Sequence, residues 1–159
     1  MFQDDDTAAR PSVLYVEDRL VNVTLMRAVF ARRPGLQLHV ATTGREALQM
    51  APELNPALLL LDVHLPDCHA TQLLLDLRRH PGCRDAPAVA VTADQHFSLA
   101  GTGFSALWLK PLDLARVFRE LDALIAGAEP ASPVPDGVAA HAAASDAAPG
   151  GGHDEQPHA

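Results

Sequence analysis

The stretch LLLLDVHLP, Leu58 to Pro66, decides the fold. Ala57 to Leu61 are continuously apolar, Asp62 ends the run, and a short turn closing on Pro66 follows at once. An apolar run bounded by turn signals is the pattern of a strand buried on both faces. In open α/β sheets ligands gather at the carboxyl ends of strands, so Asp62 stands where chemistry is done.

Working outward, SVLYV (Ser12 to Val16) is a second β-rich run, and it also ends in acids, Glu17 and Asp18. From Leu20 to Arg33, Val21, Leu25, Ala28 and Val29 recur at helical spacing until Pro34-Gly35 stops the helix. Leu36 to Val40 reads as a strand, and Thr43-Gly44 opens a short helix closed by Pro52 and Pro56. Past the central strand, a helix over about Ala70 to His80 carries the stripe Leu73, Leu74 and Leu77, and Pro81-Gly82 ends it. Ala88 to Val91 is a strand ending in Thr92, and Leu107 to Leu109 is one ending in Lys110-Pro111. Leu112 to Ile125 is an amphipathic helix with apolar residues at 114, 117, 118, 121, 124 and 125. Strands alternating with helices demand parallel pairing and right-handed crossovers. The expected fold is a flavodoxin-like, doubly wound sandwich: a five-stranded parallel sheet in the order 2-1-3-4-5, with helices on both faces.

The chain of 159 residues suits one domain plus flanks. Residues 1–11 read as a disordered lead, 12–126 as the folded domain, and 127–159 as a disordered tail rich in Ala, Pro and Gly. Its His141, His153 and His158 read as solvated side chains. A net charge of -8 argues against nucleic acid as a partner, because phosphate backbones are bound through Lys and Arg. Cys68 and Cys83 are too few for a disulfide framework, and the acidic start MFQDDDTAAR is unlike a signal peptide, which points to a reduced, cytoplasmic protein. No apolar run approaches the roughly 20 residues of a membrane helix.

In the order 2-1-3-4-5, the strands ending at Glu17-Asp18, Asp62, Thr92 and Lys110 are adjacent, and their ends converge on one crevice. Packed carboxylates repel unless a cation neutralises them, and an all-oxygen ligand set suits Mg²⁺. Thr92 offers a hydroxyl and Lys110 a compact positive charge, both suited to phosphoryl oxygens. An Asp carboxylate can be the nucleophile in phosphoryl transfer, which asks mainly for positioning and charge neutralisation.

In order and spacing, VLYVEDRLVN, ATTGREAL, LLLLDVHLP, VAVTAD and LKPLDLARV resemble the receiver domains of two-component response regulators, over about Ser12 to Ala126. The first block looks most like receivers attached to, or serving, hybrid histidine kinases. The resemblance implies that Asp62 accepts phosphate from a phosphohistidine, that Glu17, Asp18, Asp62 and the backbone carbonyl of His64 hold Mg²⁺, and that Thr92 and Lys110 contact the phosphoryl group. It implies that His64 and Asp94, two residues past Asp62 and Thr92, tune the phosphoryl lifetime. It implies partner contact around Leu20, Val21 and Val23, with a histidine kinase or histidine phosphotransfer protein. The chain would act as a signalling module, not an enzyme, promoting only its own phosphorylation and dephosphorylation, with no nucleic acid and no membrane involved.

Three features depart from the family. Cys68, His69 and Ala70 stand where Asp or Asn then Gly is usual. The segment from Thr92 to Lys110 is short by about one helical turn of ~4 residues, so a helix near Gln95 to Ala100 is expected to be short or irregular, with Gly101 and Gly103 loosening it. Leu107 stands where an aromatic typically rotates; Trp108 beside it points to the opposite face and cannot take that role without a bulge. These departures support a rival reading, a pseudo-receiver that binds partners constitutively. A second rival, an Asp-nucleophile phosphatase of the haloacid-dehalogenase type, wants a second Asp where His64 stands. His64, Asp67, Cys68 and His69 crowd a short loop, but their spacing fits no standard zinc pattern. A flavin or nucleotide carrier is disfavoured by an acidic first turn where a phosphate cradle needs Gly.

Overall fold

The apolar runs form the sheet. In a computed structural model that describes residues 9–127, five parallel strands lie in the order β2-β1-β3-β4-β5. They are β1 (Ser12–Val16), β2 (Gln37–Ala41), β3 (Leu58–Asp62), β4 (Ala88–Thr92) and β5 (Ala106–Leu109). The helices are α1 (Leu20–Ala31), α2 (Gly44–Leu54), α3 (Ala70–Leu77) and α4 (Leu114–Ile125), with a 3₁₀ turn at Pro81–Cys83. The expected lead before residue 9 and the tail from 128 lie outside the described residues; Pro11 already joins the sheet edge, its carbonyl accepting the Gln37 N–H.

The two-residue period of the strands divides the core. Leu14, Val16, Leu59, Leu61, Ala88 and Ala90 face α2 and α3, meeting Ala47, Ala51, Leu73, Leu74 and Leu77. Val13, Tyr15, Leu58, Leu60, Val89 and Val91 face α1 and α4, meeting Val23, Met26, Val29, Phe30, Val117, Leu121 and Leu124. Every residue of β3 is buried, as its continuous apolar run predicts. Truncating any of its leucines to Ala should cost about 2–5 kcal/mol, the loss of transfer energy plus a cavity.

Several elements differ from the sequence reading in informative ways. On α1 the buried face is Val23, Met26, Val29 and Phe30, whereas Val21 and Leu25 are exposed at 73% and 39%. The helix is apolar on nearly every side, so spacing alone does not select the inward stripe. Pro52 does not close α2; the helix runs on to Leu54, and Asn55 ends it at a left-handed φ of 43°. One turn from a C-terminus, a missing N–H removes only one ladder bond. α1 stops at Ala31 and α3 at Leu77, earlier than the Pro-Gly signals, and β2 is shifted one residue onward.

The short segment between β4 and β5 contains turns and no helix at all, with Gly101 and Gly103 at φ 70° and 83°. Positive φ at two sites in three residues is incompatible with a continuing right-handed helix. Trp108 points to the α4 side, as strand alternation requires, and is buried there, its Nε1 donating to Glu120 Oε2 at 2.5 Å. Glu120 lies on the inward face of α4 and also accepts from Arg116 Nε at 2.6 Å, while Arg116 Nη2 donates to the Leu107 carbonyl at 3.1 Å.

Candidate functional site

Strand order and register bring the acids together. Glu17 and Asp18 follow β1, Asp62 ends the neighbouring β3 opposite Val91, and Thr92 ends β4 opposite Leu109, next to Lys110. Ligating oxygens of Glu17, Asp18 and Asp62 all lie within 4.8 Å of one another. Glu17 and Asp62 are buried while Asp18 is exposed, so the cluster opens to solvent through one acid.

Lys110 is the only lysine in the sequence, and its ammonium enters this cluster, 2.7 Å from Glu17 Oε2 and 3.5 Å from Asp62 Oδ2. Thr92 is buried, its Oγ1 accepts the Asp94 N–H at 3.1 Å, and its own proton remains free to donate. The His64 N–H leans toward Asp62 Oδ1 at 3.4 Å. Thus the structure places Glu17, Asp18, Asp62, His64, Thr92 and Lys110 at the same strand ends.

The two buried acids differ in charge environment. Burial and then the negative charge of Glu17 push the Asp62 carboxyl above the usual range, with Lys110 opposing them only in part. Burial would also raise Glu17, but the Lys110 ammonium and the Arg19 N–H reverse it and hold that carboxyl below the usual range. Lys110 is therefore first of all the partner of Glu17, and Asp62 is left under-compensated, a carboxylate that gains from any added cation. Three carboxylates and no nitrogen or sulfur donors fit a hard ion such as Mg²⁺.

Two residues that sequence reasoning missed complete the site. The Tyr15 hydroxyl donates to Glu17 Oε2 at 3.2 Å, and the Asn22 side-chain amide donates to the same oxygen at 3.1 Å. Burial and the Glu17 charge push the Tyr15 phenol far up, so it stays a protonated donor. The signal was present: Tyr15 is two residues before Glu17 and shares its strand face.

The loop after Asp62 does not assemble a zinc site. Asp67 is committed to α2, accepting the N–H groups of Gly44 at 2.8 Å and Arg45 at 3.0 Å, and these bonds hold its carboxyl below the usual range. Cys68 packs so closely on Gly44 that a Cβ there would lie 2.3 Å from its Sγ, which explains the glycine. Burial and the neighbouring Asp67 charge push the Cys68 thiol up to about 11, leaving it unreactive. His64 and His69 do approach, their ring centres 5.7 Å apart, but His69 Nδ1 caps α3 at the Thr71 N–H.

A model of the response regulator receiver domain matches residues 13–120. The chain belongs to that family. It is similar to the polar-differentiation response regulator DivK of Brucella ovis, 29% identical over 124 residues that cover 74% of this chain and 98% of DivK. Among solved structures, the receiver domain of a sensor histidine kinase from Pseudomonas aeruginosa is 26% identical with a TM-score of 0.64, covering 74% of this chain and 99% of that one. That domain holds a magnesium ion in its active-site cleft. The chemotaxis response regulator CheY4 of Vibrio cholerae, 19% identical with a TM-score of 0.65 over 72% of this chain and 98% of its own, shares the fold. The flavodoxin-like architecture and the place of this receiver in two-component signalling follow. No helix among the described residues is long and apolar enough to cross a membrane.

Proposed function

We propose that this receiver takes a phosphoryl group onto Asp62 from the phosphohistidine of a histidine kinase or phosphotransfer protein, in a Mg²⁺-dependent reaction, and signals by protein contact. The observation that carries the reading is the under-compensated, buried Asp62 within 3.5 Å of the only lysine and beside a second buried acid and an open one. An Asp62 oxygen attacks phosphorus, the phosphorus–nitrogen bond breaks, and its electron pair returns to the imidazole, leaving an acyl phosphate. Lys110 supplies fixed positive charge at the incoming oxygens, and the free Thr92 proton donates to one of them. A bound Mg²⁺, held by Asp18, Asp62, Glu17 and the His64 carbonyl, would neutralise the phosphoryl charge. Later attack of water on phosphorus returns the Asp62 carboxylate and releases phosphate.

Leu20 and Val21 are 79% and 73% exposed at the start of α1, directly after the acidic pair, and form the proposed contact for the phosphohistidine partner. Val23, expected in the same surface, is buried and belongs to the core. The pseudo-receiver reading is supported by the helix-free segment between β4 and β5, together with Leu107 and Ala70. The phosphatase reading lacks the second acid, since His64 occupies that place.

Phosphotransfer from a phosphorylated kinase or acetyl phosphate, with and without Mg²⁺, tests the proposal on wild type and Asp62→Asn. Incorporation confined to wild type with Mg²⁺ is expected. Equal labelling of Asp62→Asn would move the acceptor elsewhere, and absence of labelling under conditions that label another receiver would favour the pseudo-receiver. Reversing the surface at Leu20 and Val21 to Asp should slow transfer from the kinase while leaving acetyl phosphate labelling intact.

A further inference from the structure

Tyr15 has no part in the chemistry above, yet its hydroxyl reaches the centre of it. Glu17 Oε2 accepts three donors: Tyr15 Oη at 3.2 Å, Asn22 Nδ2 at 3.1 Å and Lys110 Nζ at 2.7 Å. The other oxygen accepts the Arg19 N–H at 3.1 Å. The donors come from β1, from α1 with the turn before it, and from the residue after β5, so three parts of the fold meet on one fully buried carboxylate. Oε2 has no lone pair left over, and the fully buried Glu17 carboxylate cannot rotate without abandoning a donor. The ring of Tyr15 lies in an otherwise apolar cluster with Val23, Met26 and Trp108, which a phenyl ring would fill equally well. Packing therefore accounts for the ring and leaves the hydroxyl to be explained by Glu17.

We infer that Tyr15 is a positioning residue for phosphoryl transfer: its hydroxyl, with the Asn22 amide, holds Glu17 in the orientation that keeps the Lys110 ammonium beside Asp62. The inference rests on the proposed phosphoryl-accepting role of Asp62. Lys110 sits 3.5 Å from Asp62 while its shorter bond is to Glu17, so the place of the positive charge is set by where Glu17 points. Because Asn22 belongs to α1, the helix that presents Leu20 and Val21, a partner docked there presses on an element tied to the same oxygen. Tyr15 itself touches neither phosphorus nor the ion; it acts through Glu17.

The experiment uses the full chain as wild type, Tyr15→Phe, Glu17→Ala and the double variant. The first readout needs neither ion nor phosphodonor: the side-chain ammonium resonance of Lys110, assigned without ambiguity because no other lysine exists. The second is acetyl phosphate labelling at saturating Mg²⁺, separated into maximal rate and half-saturating donor concentration. Tyr15→Phe should broaden or shift the ammonium resonance and lower the maximal rate about tenfold with the half-saturating concentration unchanged, the mark of lost orientation and not lost binding. In the Glu17→Ala background the same change should alter the rate less than about twofold, since the residue it acts through is gone. An unchanged ammonium resonance with a wild-type rate overturns the inference, as does a tenfold loss that persists without Glu17. If Tyr15→Phe does not fold, Asn22→Ala removes the second donor from the helix side and must produce the same signature. If wild type takes no phosphate, the proposed function fails while the ammonium resonance still decides whether Tyr15 sets Lys110.

Discussion

The two ends of strand β5 contrast sharply in how they are held. Immediately after it, Lys110 joins a pocket in which Glu17 is fixed by four donors and the buried Asp62 is only partly compensated by Lys110. Before it, residues 93–105 are a turn-built segment with two positive-φ glycines, and among its larger side chains Phe97 rests against His69 and Phe104. Between them, Leu107 has no ring to rotate, and Trp108 is pinned to α4 through Glu120 and Arg116. A site that must stabilise transferred charge has to be preorganised, whereas a surface that reports occupancy can be rebuilt so long as some element still moves. In this receiver the strand-end cluster is tightly bonded and the adjoining segment is built from turns.

Removing the pocket's cation gives the largest expected effect. Lys110→Met should lower phosphoryl uptake by roughly a hundredfold or more, and destabilise the fold by about 3 kcal/mol because Glu17 is left charged and buried. Phosphorylation assays and urea denaturation check the two parts. The counterpart on the other side is Glu120→Ala, which strands the Trp108 indole N–H and frees Arg116. It should cost about 2 kcal/mol in denaturation and leave acetyl phosphate labelling at the wild-type rate.

A smaller effect of opposite sign is expected at Asp62. Its folded pKa is raised, so the ionised carboxylate destabilises the ion-free protein. Asp62→Asn should raise the stability of the ion-free protein, because it removes a buried carboxylate that is ionised against its environment. The gain is complete above the raised folded pKa and disappears as the pH falls toward the ordinary aspartate value of about 3.9, where wild type is protonated in both states. Denaturation midpoints across acidic pH measure it. The smallest effect belongs to Asp67, whose cap on α2 lies at the exposed rim. Asp67→Asn should cost roughly 0.3–1 kcal/mol at neutral pH, the worth of a negative charge at a helix N-terminus. Its folded pKa is depressed, so this stabilisation is present above the ordinary aspartate value and is lost as the pH falls through the lower folded one.

The strands were legible because their apolar runs are continuous and each site residue sits at or just past a strand end, where side-chain position follows from topology. Asp62 needed only its place after Leu61 to be found. α1 was misread because Leu20, Val21, Val23, Leu25 and Met26 put apolar side chains on every face, and only the packed sheet decides that Val23 turns inward. Glu120 was invisible for the opposite reason: an acid inside an apolar stripe is expected to face water until the indole N–H of a tryptophan on β5 claims it. The short segment after Thr92 announced an irregular helix through its length and glycines, and the outcome, no helix, lies further along the same line.

The central claim, that the proposed phosphoryl pocket is intact while the β5 face is locked, meets its most direct test in the amide and indole spectrum of the protein with Mg²⁺, recorded before and after phosphorylation or with a beryllium fluoride mimic. The chain has a single tryptophan, so its indole N–H is one resonance. The account predicts large shifts at Asp18, His64 and Thr92 and through residues 93–105, with the Trp108 indole signal unmoved. A Trp108 shift as large as that at Thr92, or a spectrum unchanged at the pocket, would contradict it.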